Sequence, residues 1–243
     1  ELAQAGVDDA ETLGVLARTH KDLGLQARDR ARRESHLESA YRLYEQAYST
    51  SLQRGSRDGA LYTGINAATV AVLRGQLDEA RWLAAEVHRL CTEAAAADAQ
   101  SEADYWRQAT LGVLARTHKD LGLQARDPAR RDPHLEAAYR LYEQAYTTSL
   151  QRGSREGALY TGINAATVAV LRGQLDEARW LAAEVHRICT EAAAADPQSG
   201  ADYWREATLG EAALILGDAP AAARHYANTM ALARDRYGDL STT

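Results

Sequence analysis

The sequence predicts an all-α protein, an α-solenoid of about five antiparallel helical hairpins (ten helices), and three observations carry that expectation. First, the apolar content rests on Ala and Leu, with Tyr as the main aromatic, no Phe, one Met and four Trp. Ala and Leu are strong helix formers, and Ala lets neighbouring helices approach closely. Second, Thr12–Asp22 returns letter for letter as Thr110–Asp120, and the segments 12–109 and 110–207 differ at only ten positions, among them Arg30 to Pro128, Ser35 to Pro133, Leu90 to Ile188 and Ala99 to Pro197. Third, apolar residues recur with the 3.6-residue period between glycine stops, whereas no stretch alternates apolar and polar in the manner of a strand.

Taken in order, the first unit divides into helices near 9–28, 35–54, 57–74 and 76–97, and the second into helices near 103–126, 133–152, 155–172 and 174–195. Residues 201–216 and 219–237 form a last pair. Gly55, Gly75, Gly153, Gly173 and Gly217 fall where helices are expected to stop, because glycine takes the left-handed cap conformation without steric cost. Pro133 and Pro220 are placed in a first turn, where a missing N–H leaves no bond unmade. The second helix illustrates the packing logic: Leu37, Ala40, Tyr41, Tyr44, Ala47, Tyr48 and Ser51 share one face, while Glu38, Arg42, Glu45 and Gln46 point away. One hairpin cannot cover such stripes on both of its faces, so neighbouring hairpins must stack. The reading is a single solenoid over 1–243, with 208–243 as the closing hairpin. A third Thr-Leu-Gly at 208–210 then departs from the repeat, the seam that a recent or engineered in-frame duplication leaves. The start at Glu1 without Met fits an excised fragment.

Leu73-Arg74-Gly75-Gln76-Leu77-Asp78-Glu79-Ala80 and its copy at 171–178 resemble the turn of a tetratricopeptide repeat, in which Gly closes helix A and a small Ala lets helix B pack against it. Leu13-Gly14, Leu111-Gly112 and Leu209-Gly210 resemble the Leu-Gly pair of helix A. Ala40, Tyr44 and Ala47, repeated as Ala138, Tyr142 and Ala145, match the pattern of helix B. The resemblance implies a right-handed superhelix and scaffold or adaptor work. More narrowly, Tyr62–Thr69 together with Tyr203–Thr208 is similar to the TRAF-binding helical domain of stress-activated kinases and bacterial signalling proteins. The long loop expected between the first two helices of each unit departs from the family's repeat length.

The resemblance also implies where a partner would bind, since helix A of each hairpin lines the concave groove of such proteins. Alignment on Gly75 and Ala80 puts Asn66 and Asn164 at the position that faces a bound peptide, with Thr69 and Thr167 beside them. Arg18 and Arg116 are candidate bidentate partners for an acidic ligand. The alternative is that these side chains bond backbone carbonyls or solvent. Trp106 and Trp204 are expected in the interhelical core.

Other functions are disfavoured. A net charge of −6 opposes nucleic-acid binding, and the Arg28, Arg30, Arg32, Arg33 cluster, like Arg126, Arg130 and Arg131, reads as a solvated interhelical loop. No apolar run approaches the ~18 residues that cross a bilayer, and no secretory leader is evident, so a cytoplasmic setting without membrane partners is expected. Cys91 and Cys189 read as small buried hydrophobes. His88 with Cys91, and His186 with Cys189, offer too few ligands for structural zinc, and no metal or other cofactor is expected. With no phosphate loop, nucleophile elbow or HExxH, no catalytic residue is assigned and the protein is not read as an enzyme. The expected partner is a peptide or protein, with self-association through exposed end helices as a further expectation. Two other readings stay open: a repeat-extended structural object, natural or designed, without a ligand, and a ligand-sensing module of a bacterial signalling protein.

Overall fold

The computed structural model describes residues 9–97, 103–195 and 202–232. All regular elements among the described residues are helices: α1 (Ala10–Gln26), α2 (Arg30–Gln53), α3 (Arg57–Leu73), α4 (Leu77–Ala97), α5 (Ala103–Gln124), α6 (Pro128–Gln151), α7 (Arg155–Leu171), α8 (Leu175–Ala195), α9 (Tyr203–Leu216) and α10 (Ala219–Leu232). They follow the expected order of a helical repeat. The last residues expected in the tenth helix, 233–237, lie outside the described ones.

The chain divides into two compact units, Glu1–Thr117 and His118–Thr243. In the first, α1 packs on α2, α2 on α3 and α3 on α4, and α1 also touches α3. In the second, α6 packs on α7, α7 on α8, α8 on α9 and α9 on α10, and α7 also touches α9. The buried residues of α2 are Leu37, Ala40, Tyr41, Tyr44, Ala47, Tyr48 and Ser51, the stripe that the period predicts. The third helix is covered on more than one side, with Ala60, Leu61, Ile65, Ala67, Ala68, Val70 and Ala71 all buried. Gly64 sits where α3 presses closest: a Cβ there would stand 2.5 Å from Val87 Cγ2 of α4 and 2.9 Å from the Tyr48 ring of α2. The small residues of α3 therefore set how tightly three helices pack.

The turns follow the expected chemistry. Gly75 has φ 74°, its N–H donates to Val72 O, and Gln76 N–H reaches back to Ala71 O at 2.9 Å, so the last carbonyls of α3 are satisfied within a left-handed cap. Polar ties join even-numbered helices to the turn: Tyr41 Oη donates to Glu79 Oε1 (3.1 Å), and Arg74 lies 4.9 Å above the Tyr41 ring while pairing with Glu38. Tyr139, Glu177, Arg172 and Glu136 repeat this set in the second unit.

Three expectations are corrected. The second and sixth helices begin at Arg30 and Pro128, not near 35 and 133, because aspartates start them: Asp29 Oδ1 accepts from Arg32 N–H and Asp127 Oδ1 from Ala129 N–H. The arginine clusters thus lie largely on exposed first helical turns, not in a long loop, and only residues 27–29 and 125–127 separate the helices. Pro128 takes the favourable first position and Pro133 falls inside α6. Trp204 is 44% exposed and stacks edge-on against Tyr203 (5.0 Å, 89°), and it is Tyr203 that is buried. The Trp106 side chain lies outside the described residues. Both cysteines are buried and unpaired by disulfide, as expected of small hydrophobes.

Candidate partner-binding face

The six residues singled out from the sequence all lie on odd-numbered helices: Arg18 on α1, Asn66 and Thr69 on α3, Arg116 on α5, Asn164 and Thr167 on α7. In the first unit α1 and α3 bring a lysine to the asparagine. Lys21 Nζ donates to Asn66 Oδ1 at 3.0 Å, and the Asn66 amide in turn donates to Tyr62 O at 2.8 Å. The ammonium also lies 5.9 Å from the centre of the Tyr44 ring, itself packed edge-on against Tyr62. Burial pushes the Lys21 ammonium below its ordinary pKa, with the charge of Asp22 opposing that shift.

The second unit repeats this arrangement and extends it. Lys119 Nζ donates to Asn164 Oδ1 at 2.8 Å, Asn164 Nδ2 donates to Tyr160 O at 2.8 Å, and Tyr142 holds its ring 6.0 Å from the ammonium. Thr167 Oγ1 donates to the Glu211 carboxylate of α9. Burial pushes the Glu211 carboxyl up, and the Thr167 bond and the Lys119 charge pull it down. The chain therefore holds a half-buried cation in each unit, and in the second unit a carboxylate one helix away.

The remaining candidates lie on the same helices. Arg18 is exposed and reaches Asp22 only at 4.0 Å, an i,i+4 pair of small energetic weight. Arg116 is half-buried at the equivalent place on α5. Thr69 Oγ1 donates to Ile65 O at 2.8 Å. Lys21 and Lys119, with Glu211, are the residues that sequence reasoning missed. The available signal was spacing: Lys21 stands three residues after Arg18 and Lys119 three after Arg116, so each lysine shares the face already assigned to its arginine.

Other features bear on what this face can hold. A cavity of about 170 Å³ at the α6–α7 turn, lined by Ser149, Gly153, Ser154, Arg155, Arg187 and Glu191, is below the few hundred Å³ usual for a small-molecule site and lies away from these lysines. No group of three or more His, Cys, Asp or Glu that could hold a metal ion occurs among the described residues. No helix among them is long and apolar enough to cross a membrane.

Residues 1–71 and 74–169, more than two thirds of the chain, match the profile of the TPR-S family, Tetratricopeptide Repeats-Sensor. No curated protein matches the chain. Among solved structures, the nearly identical TPR-like repeats of a Podosopora anserina chain described as a kinesin light chain superpose with a TM-score of 0.59 at 18% identity, over 92% of this chain and 95% of that one. A variant of the same protein gives a TM-score of 0.60 at 18% identity, over 92% and 93%. At that identity the likeness speaks to the fold alone.

Proposed function

Since the chain belongs to the TPR-S family of tetratricopeptide repeats, a fold that commonly mediates protein–protein interaction and typically serves as a non-enzymatic scaffold, we propose that it binds a peptide or protein partner on the odd-numbered helices of each unit through an acidic side chain or terminal carboxylate. The carrying observation is the Lys21–Asn66 pair and its Lys119–Asn164 counterpart. An ammonium has three donors and no acceptor. Lys21 has a neutral acceptor in Asn66 and a π-face in Tyr44 beside the charge of Asp22, and it has already lost part of its hydration. A carboxylate arriving there would add a charge-assisted bond in a site of reduced dielectric. Arg18 and Arg116, on the same helical faces, are placed to widen the contact, with Thr69 and Thr167 as neighbouring hydroxyls. The adaptor role suggested by the TRAF-binding likeness, and a cytoplasmic setting, belong to the same reading.

The test is selection of peptides from a random library on the full chain, followed by affinity measurement for each winner. Acidic winners that lose about ten-fold or more in affinity against Lys21→Ala/Lys119→Ala support the assignment, by the weight of a charged hydrogen bond. Neutral or basic winners, or affinity indifferent to the two lysines, would remove it.

The family's description as a sensor favours a second reading, in which the same lysines take a small anionic ligand. Free carboxylates that compete with the selected peptide at the concentrations at which they bind alone would favour it.

A further inference from the structure

Two histidine pairs lie outside the face described above. His20 of α1 and His36 of α2 bring their Nδ1 atoms to 3.1 Å, and His118 of α5 and His134 of α6 bring theirs to 3.0 Å. The ring centres are 5.3 and 5.2 Å apart and the planes are tilted by 48° and 44°. The backbone builds this approach. Gly24 follows His20 by one turn, and a Cβ there would stand 3.1 Å from Leu37 and 3.4 Å from His36 Cβ; at Gly122 it would stand 2.8 Å from Leu135. Without side chains at these glycines, α2 and α6 come close enough for histidines on adjacent helices to meet.

We propose that each histidine pair is a binding site for a first-row divalent transition-metal ion, taken through the two Nδ1 atoms. Imidazole nitrogens bind Zn2+ at about 2.0–2.1 Å, and two such bonds to nitrogens at the observed separation subtend about 95°, close to the cis angle of square-planar or octahedral coordination and within reach of a tetrahedron. Both rings of each pair are half-buried, so solvent reaches the site. No third His, Cys, Asp or Glu joins either pair among the described residues. The remaining positions on the ion therefore fall to water or to a ligand from outside the chain. The ligand set is soft enough for Cu2+, Ni2+ and Zn2+, with Cu2+ tightest, and unsuited to Mg2+ or Ca2+, which require oxygen donors. An ion so held would staple α1 to α2 and α5 to α6.

The test is a calorimetric titration of the full chain with Cu2+ at pH 7, with the coordination read by electron paramagnetic resonance. The expected result is about two ions per chain, each with two coupled imidazole nitrogens, about one ion in His36→Gln or His134→Gln, and none at these sites in the double variant. Circular dichroism on each variant confirms that the helices persist, and a large excess of Zn2+, but not of Mg2+, should compete with the copper. Copper uptake unchanged in the double variant, a spectrum lacking two coupled nitrogens, or no uptake by the folded wild type at tens of micromolar would each overturn the proposal.

Discussion

Replacing Gly64 by Ala tests the packing of the first unit at its tightest point. In a helix interior the change from Gly to Ala is worth about 1 kcal/mol in favour of Ala. Here the added methyl would meet Val87 Cγ2 at 2.5 Å and the Tyr48 ring at 2.9 Å, and both neighbours are buried. Forcing a methylene into such a place costs about 1–3 kcal/mol or more, because the neighbours must leave their rotamers or the helices must separate. A clash with two immobile groups puts the cost at the upper end, so the net effect is a loss of about 2 kcal/mol. Gly14 provides the internal control: its Cβ would meet Tyr62 at 3.5 Å and Thr63 at 3.9 Å, ordinary contact distances, so Gly14→Ala should gain up to about 1 kcal/mol. In thermal unfolding followed by circular dichroism, Gly64→Ala should lower Tm by about 4–8 °C and Gly14→Ala raise it by about 2–4 °C. A Gly64→Ala protein as stable as the wild type would refute the close approach of α2, α3 and α4 at this glycine.

Three further outcomes follow from the geometry. Glu206→Gln, which restores the residue found at Gln108 of the first copy, should cost about 1–2 kcal/mol, read as a lower urea midpoint, because Glu206 Oε2 stands 2.9 Å from His225 Nδ1 and accepts from Asn228 at 3.0 Å. Although burial alone would raise the Glu206 carboxyl, the His225 and Asn228 bonds leave it below its ordinary 4.5, so its contribution is present above that value and is lost as pH falls through the folded pKa. His20 titrates below its ordinary 6.5 in the fold, so the unfolded chain binds the proton more readily. Stability from this group is full above about pH 6.5 and declines as pH falls toward the folded value, and His20→Gln should flatten Tm between about pH 7.5 and 5.5. Asp29→Ala should cost about 1 kcal/mol in urea unfolding and fray the start of α2, visible as faster amide exchange in its first turn.

The repeat and the helical period carried most of the fold, because both act locally. The apolar stripe of α2 was visible, yet its first apolar member facing the core is Leu37, and periodicity is silent about the polar turn before it. Asp29 was the signal for the true start, a cap residue ahead of a helix that opens with arginines. Proline preference was ambiguous in α6, where Pro128 and Pro133 both compete for the first turn and only one can occupy it. Tyr203, not Trp204, faces the core, because one residue along a helix turns a side chain by about 100°. The candidate face was legible only helix by helix. That Lys21 meets Asn66, 45 residues away, depends on how α1 lies against α3, and no spacing rule within one helix contains that contact.

The central claim is that a partner lies on the odd-numbered helices of each unit. Amide hydrogen exchange of the full chain, with and without a peptide selected on it, tests this most directly. The account predicts slowed exchange in α1, α3, α5 and α7, with α4 and α8 unchanged. Protection confined to α4 and α8, which display Trp82 and Trp180 at 57% and 60% exposure, would contradict it and move the binding surface to the opposite set of helices.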